Sequence, residues 1–139
     1  AHHMEPAGEV GGVLFINDSK ASNPDSAVAD LQAMDRPYIA IVGGKDKGAE
    51  FTALGRLLAS APRTVILIGE AADRIEQAMG DVQPERARTL EDAVARACEL
   101  AEPGDAVIMA PACSSFDMFR DYEQRGEVFR QAVQALREE

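Results

Sequence analysis

The chain alternates between short, wholly apolar runs and longer segments in which apolar residues recur every three or four positions. The short runs are typical of strands that are buried on both faces, and the longer segments are typical of amphipathic helices. This alternation predicts an α/β domain of the Rossmann-like three-layer type, with a mostly parallel sheet. The runs are VLFIN (13–17), YIAIV (38–42), TVILI (64–68) and DAVIMA (105–110).

Helical spacing predicts five helices between and after these runs. The first extends from about residue 24 to 34, and residues 80–85 form a turn-rich break before the fourth helix. The other four carry apolar stripes, which are Phe51, Leu54, Leu57 and Leu58, then Ile75, Ala78 and Met79, then Leu90, Ala93, Val94, Ala97 and Leu100, and finally Val128, Phe129, Ala132, Val133 and Leu136.

The first twenty residues predict a β-hairpin. Two apolar stretches, at 4–10 and 13–17, flank the pair Gly11-Gly12. A two-residue primed turn needs positive φ at both central positions, which glycine allows without strain. Pro6 has no N–H to donate, so the first strand is expected at the edge of the sheet, antiparallel to its neighbour.

The composition limits the number of domains and the classes of partner that are expected. With 139 residues and 46% apolar side chains, one compact domain over residues 1–139 is expected. A net charge of −10 disfavours nucleic acid and anionic membranes as partners. The scarcity of cysteine indicates a reducing, cytoplasmic location, and a monomer is expected. No metal cluster is predicted, since His2 and His3 have no cysteine beside them and are interpreted as a tag remnant or part of a truncated motif.

Three polar segments follow the predicted strands, at residues 17–22, 43–50 and 111–117. Because ligands bind at the carboxyl ends of the strands in open α/β sheets, these segments are expected to converge on one rim. The spacing of Ser114 and Asp117 predicts a helix start there, whose free N–H groups favour anions. Two lysines and several hydroxyls on this rim suit a small polyanion, a dicarboxylate or a phosphate.

The segment GGKDKGAEF (43–51) has the glycine spacing of a phosphate-binding P-loop. However, Ala49 and Glu50 stand where such a loop needs Lys and Ser or Thr. It is therefore interpreted either as a glycine-rich surface turn or as the carrier of one fixed cation, Lys47. There is no Ser-His-Asp set in the sequence pattern, so nucleophilic catalysis gains no support.

The segments NDSKAS, GGKDKGAEF and PACSSFDMFRDYEQRG resemble, in this order and spacing, the C-terminal domain of the UDP-N-acetylmuramoyl-L-alanine:D-glutamate ligases, in the ATP-dependent Mur ligase family. The resemblance covers essentially the whole chain. It implies a C-terminal amino-acid-binding domain of a three-domain ligase, which closes over ATP and Mg²⁺ held mainly by the central domain. The implied reaction is amide formation between D-glutamate and UDP-N-acetylmuramoyl-L-alanine in peptidoglycan synthesis.

The resemblance also implies roles for individual residues. D-glutamate is expected to contact Lys47, Ser115, Ser22, Phe116 and Tyr122. Asn17, Asp18 and Lys20 are expected to face the nucleotide. No catalytic residue is expected within this domain alone, so the isolated domain should not turn over. Members of the family usually have Arg where this sequence has His3.

Two other interpretations assign the chain to different functional classes of protein. A stand-alone, non-catalytic binding module for small acidic metabolites would need a native gene ending at these boundaries, whereas a ligase gene would continue upstream into a GKT-type loop. A receiver-like signalling domain would need an acidic pair after the first strand of the parallel sheet, where this chain has Asp18-Ser19-Lys20.

Overall fold

The structure is a computed structural model and describes residues 1–138. Strands and helices alternate along this range, as the apolar pattern predicts. The strands are β1 Glu5–Val10, β2 Val13–Asn17, β3 Tyr38–Gly43, β4 Thr64–Ile68, β5 Glu85–Arg86 and β6 Ala106–Met109. The helices are α1 Pro24–Gln32, α2 Thr52–Ser60, α3 Ala72–Ala78, α4 Leu90–Leu100 and α5 Tyr122–Arg137.

One sheet contains all of these strands, in the order β1-β2-β6-β3-β4-β5. Neighbours from β2 to β5 are parallel, and β1 pairs antiparallel with β2 at the edge. The prediction of a mostly parallel sheet with one antiparallel edge strand is confirmed. Gly11 and Gly12, with φ of 58° and 81°, make the turn between β1 and β2.

Helices cover both faces of the sheet, which explains why its central strands are apolar throughout. In β3, Tyr38, Ala40 and Val42 pack into the core under α1, α2 and α3. Ile39 and Ile41 point to the other face and pack into the core under α4 and α5. The three layers predicted from the sequence are therefore present, and each strand must satisfy two apolar environments.

Two details of the predicted elements differ from the structure. Helix α1 ends at Gln32 instead of about residue 34, with Ala33 as its C-cap. The segment assigned to turns at 80–85 leads into β5, a two-residue strand that pairs with β4 through Ile66 and Leu67. Two residues are too few to show a period of two, so the apolar pattern could not reveal this strand.

In the part of the chain that the structure describes, no helix combines the length and the apolar character needed to cross a bilayer.

Candidate functional site

The three polar segments do converge at the carboxyl ends of β2, β3 and β6. The backbone N–H of Lys45 donates to the carbonyl of Ser114 over 3.0 Å, which joins the second segment to the third. The N–H of Ala112 donates to the carbonyl of Ala21 over 2.9 Å, which joins the third segment to the first. The predicted rim is confirmed as a continuous surface.

Arg125 lies beneath this rim and connects two of its segments. Its guanidinium donates from Nε to Ser19 Oγ over 2.9 Å and from one Nη to Cys113 O over 2.8 Å. The other Nη donates to Ser19 O over 2.6 Å and to Ser22 Oγ over 3.1 Å. We call Arg125, Ser19, Ser22 and the Cys113 carbonyl the Arg125 cluster. It fixes segment 17–22 to segment 111–117 and both to α5.

The Arg125 cluster is unusual because a charged group is buried among neutral oxygen atoms. The Arg125 residue is 1% exposed, and this burial lowers the pKa of Arg125 to about 10. The guanidinium therefore keeps its charge at neutral pH, and its hydrogen bonds offset the cost of desolvation. Sequence reasoning missed this residue. The available signal was its spacing, four and eight residues before Phe129 and Val133 on the buried face of α5.

Cys113 follows β6 and is buried in the same place. Burial raises the pKa of the Cys113 thiol to about 12. A thiol with this pKa is a weak nucleophile at neutral pH.

The loop at 43–50 is held in place by its own acidic residue. Asp46 Oδ1 accepts from the N–H of Gly48 over 2.9 Å and from Arg74 over 2.7 Å, and the N–H of Asp46 donates to Glu70 over 3.0 Å. The bond from Gly48, followed by that from Arg74, lowers the pKa of Asp46. The loop backbone is thus well anchored, although the sequence pattern singled out only its glycines and lysines.

Lys47 projects from this anchored loop toward the third segment. Its Nζ lies 5.3 Å from the centroid of the Phe116 ring, in a cation–π contact, and Phe116 is 61% exposed. Ser115, next to Phe116, is buried. The structure therefore brings Lys47, Ser115 and Phe116 to the same part of the rim, and we call these three residues the Lys47 edge.

The predicted helix start at Ser114 and Asp117 is wrong. Asp117 Oδ2 accepts from the N–H of Glu70 over 3.0 Å instead of capping a helix, and Ser114 Oγ is buried without a hydrogen-bond partner in residues 1–138. Helix α5 begins later, where Asp121 Oδ1 accepts from the N–H of Gln124 over 2.8 Å. The Ser-x-x-Asp spacing is short enough to occur in an irregular turn.

His2 contacts the end of β2 and the start of α5. Its Nδ1 lies 2.9 Å from Asn17 Nδ2, and its carbonyl accepts from the N–H of Lys20 over 2.9 Å. The Tyr122 ring lies edge-on to the His2 ring, with 6.2 Å between centroids. The structure thus groups Asn17 and Tyr122 with the N-terminal residues, and Ser22 with the Arg125 cluster.

Asp18, which is expected to face the nucleotide, is fully buried. Its Oδ1 accepts from the N–H of Met4 over 2.9 Å, whereas its Oδ2 has no hydrogen-bond partner among the described residues. Burial, and then the nearby carboxyl of Asp30, raise the pKa of Asp18 to about 8. Lys20 is exposed and lines an adjacent cavity of about 400 Å³ together with His3 and Asp30.

Fold and rim together define an α/β domain with a candidate ligand site at the carboxyl edge of its sheet. Residues 2–113 match the family "Mur ligase, glutamate ligase domain", and the chain belongs to this family.

The chain is also similar to full ligases. It is 44% identical over 137 residues to the UDP-N-acetylmuramoylalanine--D-glutamate ligase of Salinibacter ruber, and 48% identical over 136 residues to that of Geotalea daltonii. In both cases the match covers 97% of this chain and 30% of the relative. The chain thus spans about a third of the length of these relatives.

Solved structures support the fold. The murein peptide ligase Mpl of Psychrobacter arcticus matches with a TM-score of 0.65 and 17% identity, over 97% of this chain and 30% of that one. The MurF ligase of Thermotoga maritima, solved in complex with ADP, matches with a TM-score of 0.62 and 16% identity, over 96% and 31%.

Proposed function

We propose that this chain is the D-glutamate-binding C-terminal domain of an ATP-dependent, three-domain ligase that joins D-glutamate to UDP-N-acetylmuramoyl-L-alanine in peptidoglycan synthesis. The observation that carries the proposal is the Lys47 edge, in which a cation, a serine and an aromatic ring from two distant segments meet on one rim. The names of the relatives, which are 44% and 48% identical, supply the substrate.

The chemistry of D-glutamate fits such a rim. The substrate has two carboxylates that must be held and one amine that must stay free to attack an acyl phosphate. Lys47 offers charge-assisted hydrogen bonds to one carboxylate, and a serine hydroxyl such as that of Ser115 or Ser22 offers a directional one. Phe116 supplies an apolar wall for the methylene groups, and Tyr122, whose ring lies against His2, is proposed to complete the pocket when the domain closes. None of these residues is assigned to the amine, so the nitrogen can remain free to attack.

The Arg125 cluster gives this proposal a structural basis. A rigid arrangement lowers the entropy that binding must overcome, because the site does not have to form when the ligand arrives. Arg125 holds Ser22 and the backbone just before Ser115. We infer that Arg125 positions the serines, while Lys47 is free to close on the substrate.

ATP and Mg²⁺ enter the proposal as partners held mostly outside this chain. In the loop at 43–50, Ala49 and Glu50 follow the second glycine where a P-loop has Lys and Ser or Thr, so the loop does not fit the triphosphate and its metal ion. Lys20, which is exposed beside the cavity, is proposed to face the nucleotide when the domain closes, with the buried Asn17 and Asp18 behind it on the same side. The isolated chain is expected to have no ligase activity.

Binding to the chain tests the proposal directly. In a titration followed by ¹H–¹⁵N NMR, D-glutamate is expected to shift the amide signals of Lys47 and Ser115, and L-glutamate is expected to shift them less. Lys47→Ala should weaken D-glutamate binding by about tenfold or more, since it removes a charge-assisted hydrogen bond.

Arg56→Ala is the matched control, because Arg56 is an exposed cation on α2. It removes the same charge and should leave D-glutamate binding within about twofold. Equal shifts with the two enantiomers, or equal losses in the two variants, would show that the rim attracts anions without recognising D-glutamate.

A further inference from the structure

Three side chains that can bind metal ions meet beside the N-terminus, away from the Lys47 edge. They come from separate parts of the chain, which are the N-terminal segment (His3), the residue after β2 (Asp18) and α1 (Asp30). One ligand atom from each lies within 4.8 Å of the other two, and His3 Nε2 is 3.5 Å from Asp30 Oδ1. Residues 15 and 12 positions apart gave no motif in the sequence.

A cluster of this kind can form by chance on an acidic surface, but Asp18 adds an independent observation. The residue is fully buried, and its Oδ2 lacks a hydrogen-bond partner among the described residues. A buried carboxylate oxygen without a donor costs free energy unless a proton or a cation neutralises it. The Asp30 carboxyl lies beside Asp18 and interacts with it, so the two acids must share either a proton or a cation. The arrangement therefore leaves a position that a cation can fill.

We propose that His3, Asp18 and Asp30 form a binding site for a divalent transition-metal ion, with Zn²⁺ as its best fit. Imidazole nitrogen and carboxylate oxygen are both zinc ligands, with metal–ligand distances near 2.0–2.2 Å. A tetrahedral site with such bonds separates its ligand atoms by about 3.3 Å. The 3.5 Å between His3 and Asp30 is close to this value, so only small side-chain movements are needed.

The fourth ligand position would open to the adjacent cavity of about 400 Å³. Lys20 lines this cavity and is exposed, so its positive charge weakens the attraction for a cation but favours an anionic fourth ligand or hydroxide. Bound Zn²⁺ would join the N-terminal residues to β2 and α1. It would add to the hydrogen bond that already links Met4 to Asp18. None of its ligands belongs to the Lys47 edge, so the site is independent of D-glutamate binding, although it shares Asp18 with the proposed nucleotide side.

Calorimetric titration of the chelator-treated, dialysed chain with ZnCl₂ tests the site. One Zn²⁺ per chain is expected to bind and to raise the temperature of thermal unfolding. His3→Ala and Asp30→Asn should each weaken Zn²⁺ binding by on the order of 100-fold. Loss of a hydrogen bond that only supports a metal ligand costs about 10–100-fold, so a loss of this size or larger indicates that the residue is itself a ligand.

One control variant and two contrary outcomes complete this test. Asp25→Asn removes an exposed carboxylate from the same helix and should leave Zn²⁺ binding unchanged. Asp30→Asn retains both histidines, so undiminished binding in this variant would place the ion on the His2-His3 pair and overturn the proposal. Absence of Zn²⁺ binding to the unaltered chain would overturn it as well, with a proton shared by Asp18 and Asp30 as the occupant.

Discussion

The Arg125 cluster and the Lys47 edge occupy neighbouring parts of one rim but differ in burial and in the number of their contacts. The first has a guanidinium that is 1% exposed and makes four hydrogen bonds to oxygens from two segments. The second has an exposed lysine whose ammonium contacts an aromatic ring that is itself 61% exposed.

This difference separates two tasks that a binding site needs. Buried hydrogen bonds in a low dielectric fix backbone positions, because breaking any one of them leaves a polar group unsatisfied. An exposed cation contributes little to stability but can move toward a ligand. We therefore expect changes in the Arg125 cluster to lower the free energy of unfolding and changes in the Lys47 edge to lower affinity.

Arg125→Met should have the largest effect on stability. Methionine fills similar space but leaves Ser19 and the Cys113 carbonyl without their donor. We expect the free energy of unfolding to fall by about 3 kcal/mol or more, since each unsatisfied buried group costs about 1–3 kcal/mol. Urea unfolding followed by circular dichroism measures this change.

Arg130→Met is the control for Arg125→Met. Arg130 lies on the same helix, is exposed and pairs with Glu127. Its loss should change the free energy of unfolding by no more than about 0.5 kcal/mol. Similar small losses in both variants would contradict the structural role given to the Arg125 cluster.

Gly126→Ala should have the next largest effect. Alanine normally stabilises a helix interior by about 0.5–1 kcal/mol relative to glycine. A Cβ at this position would collide with the His2 ring and approach Asn17, so the gain should disappear or reverse. In a double-mutant cycle with His2→Ala, we expect a coupling of about 1 kcal/mol. A variant that is more stable than its parent by the normal helical gain would show that His2 does not pack there.

Asp121→Ala should have an effect no larger than the coupling expected for Gly126→Ala, and it tests where α5 begins. Removal of this N-cap is expected to cost about 1 kcal/mol. Ser114→Ala, at the start predicted from sequence, should change the free energy of unfolding by less than about 0.5 kcal/mol, because the Ser114 hydroxyl has no hydrogen-bond partner in residues 1–138. A larger loss of stability in Ser114→Ala than in Asp121→Ala would indicate that the helix begins near Ser114.

The fold could be predicted because burial on two faces leaves a strong pattern. β3 and β4 are apolar at nearly every position, so their type and approximate limits follow from composition alone. The two-residue β5 has no such pattern. The helix start at Ser114 was mistaken because its spacing is a local signal, and a tertiary contact of Asp117 with Glu70 replaced the helix cap.

The site could be predicted only where residues stand in a recognisable motif. Lys47, Ser115 and Phe116 were found in this way, and the structure places the Lys47 ammonium over the Phe116 ring. Arg125 was missed although it stands in the segment PACSSFDMFRDYEQRG (111–126), because a charged residue on an apolar helix face is easily assigned to the helix edge. The group of His3, Asp18 and Asp30 was missed because its members are brought together only by the packing of the N-terminal segment against β2 and α1.

The central claim is that the Lys47 edge binds the incoming amino acid. The most direct test is the KM for D-glutamate in a three-domain ligase that contains this sequence, compared between Lys47→Ala and Arg56→Ala. We predict that Lys47→Ala raises the KM for D-glutamate by about tenfold or more, with the free energy of unfolding unchanged, and that Arg56→Ala leaves this KM unaltered. An unchanged KM for D-glutamate in a folded Lys47→Ala enzyme would contradict the claim.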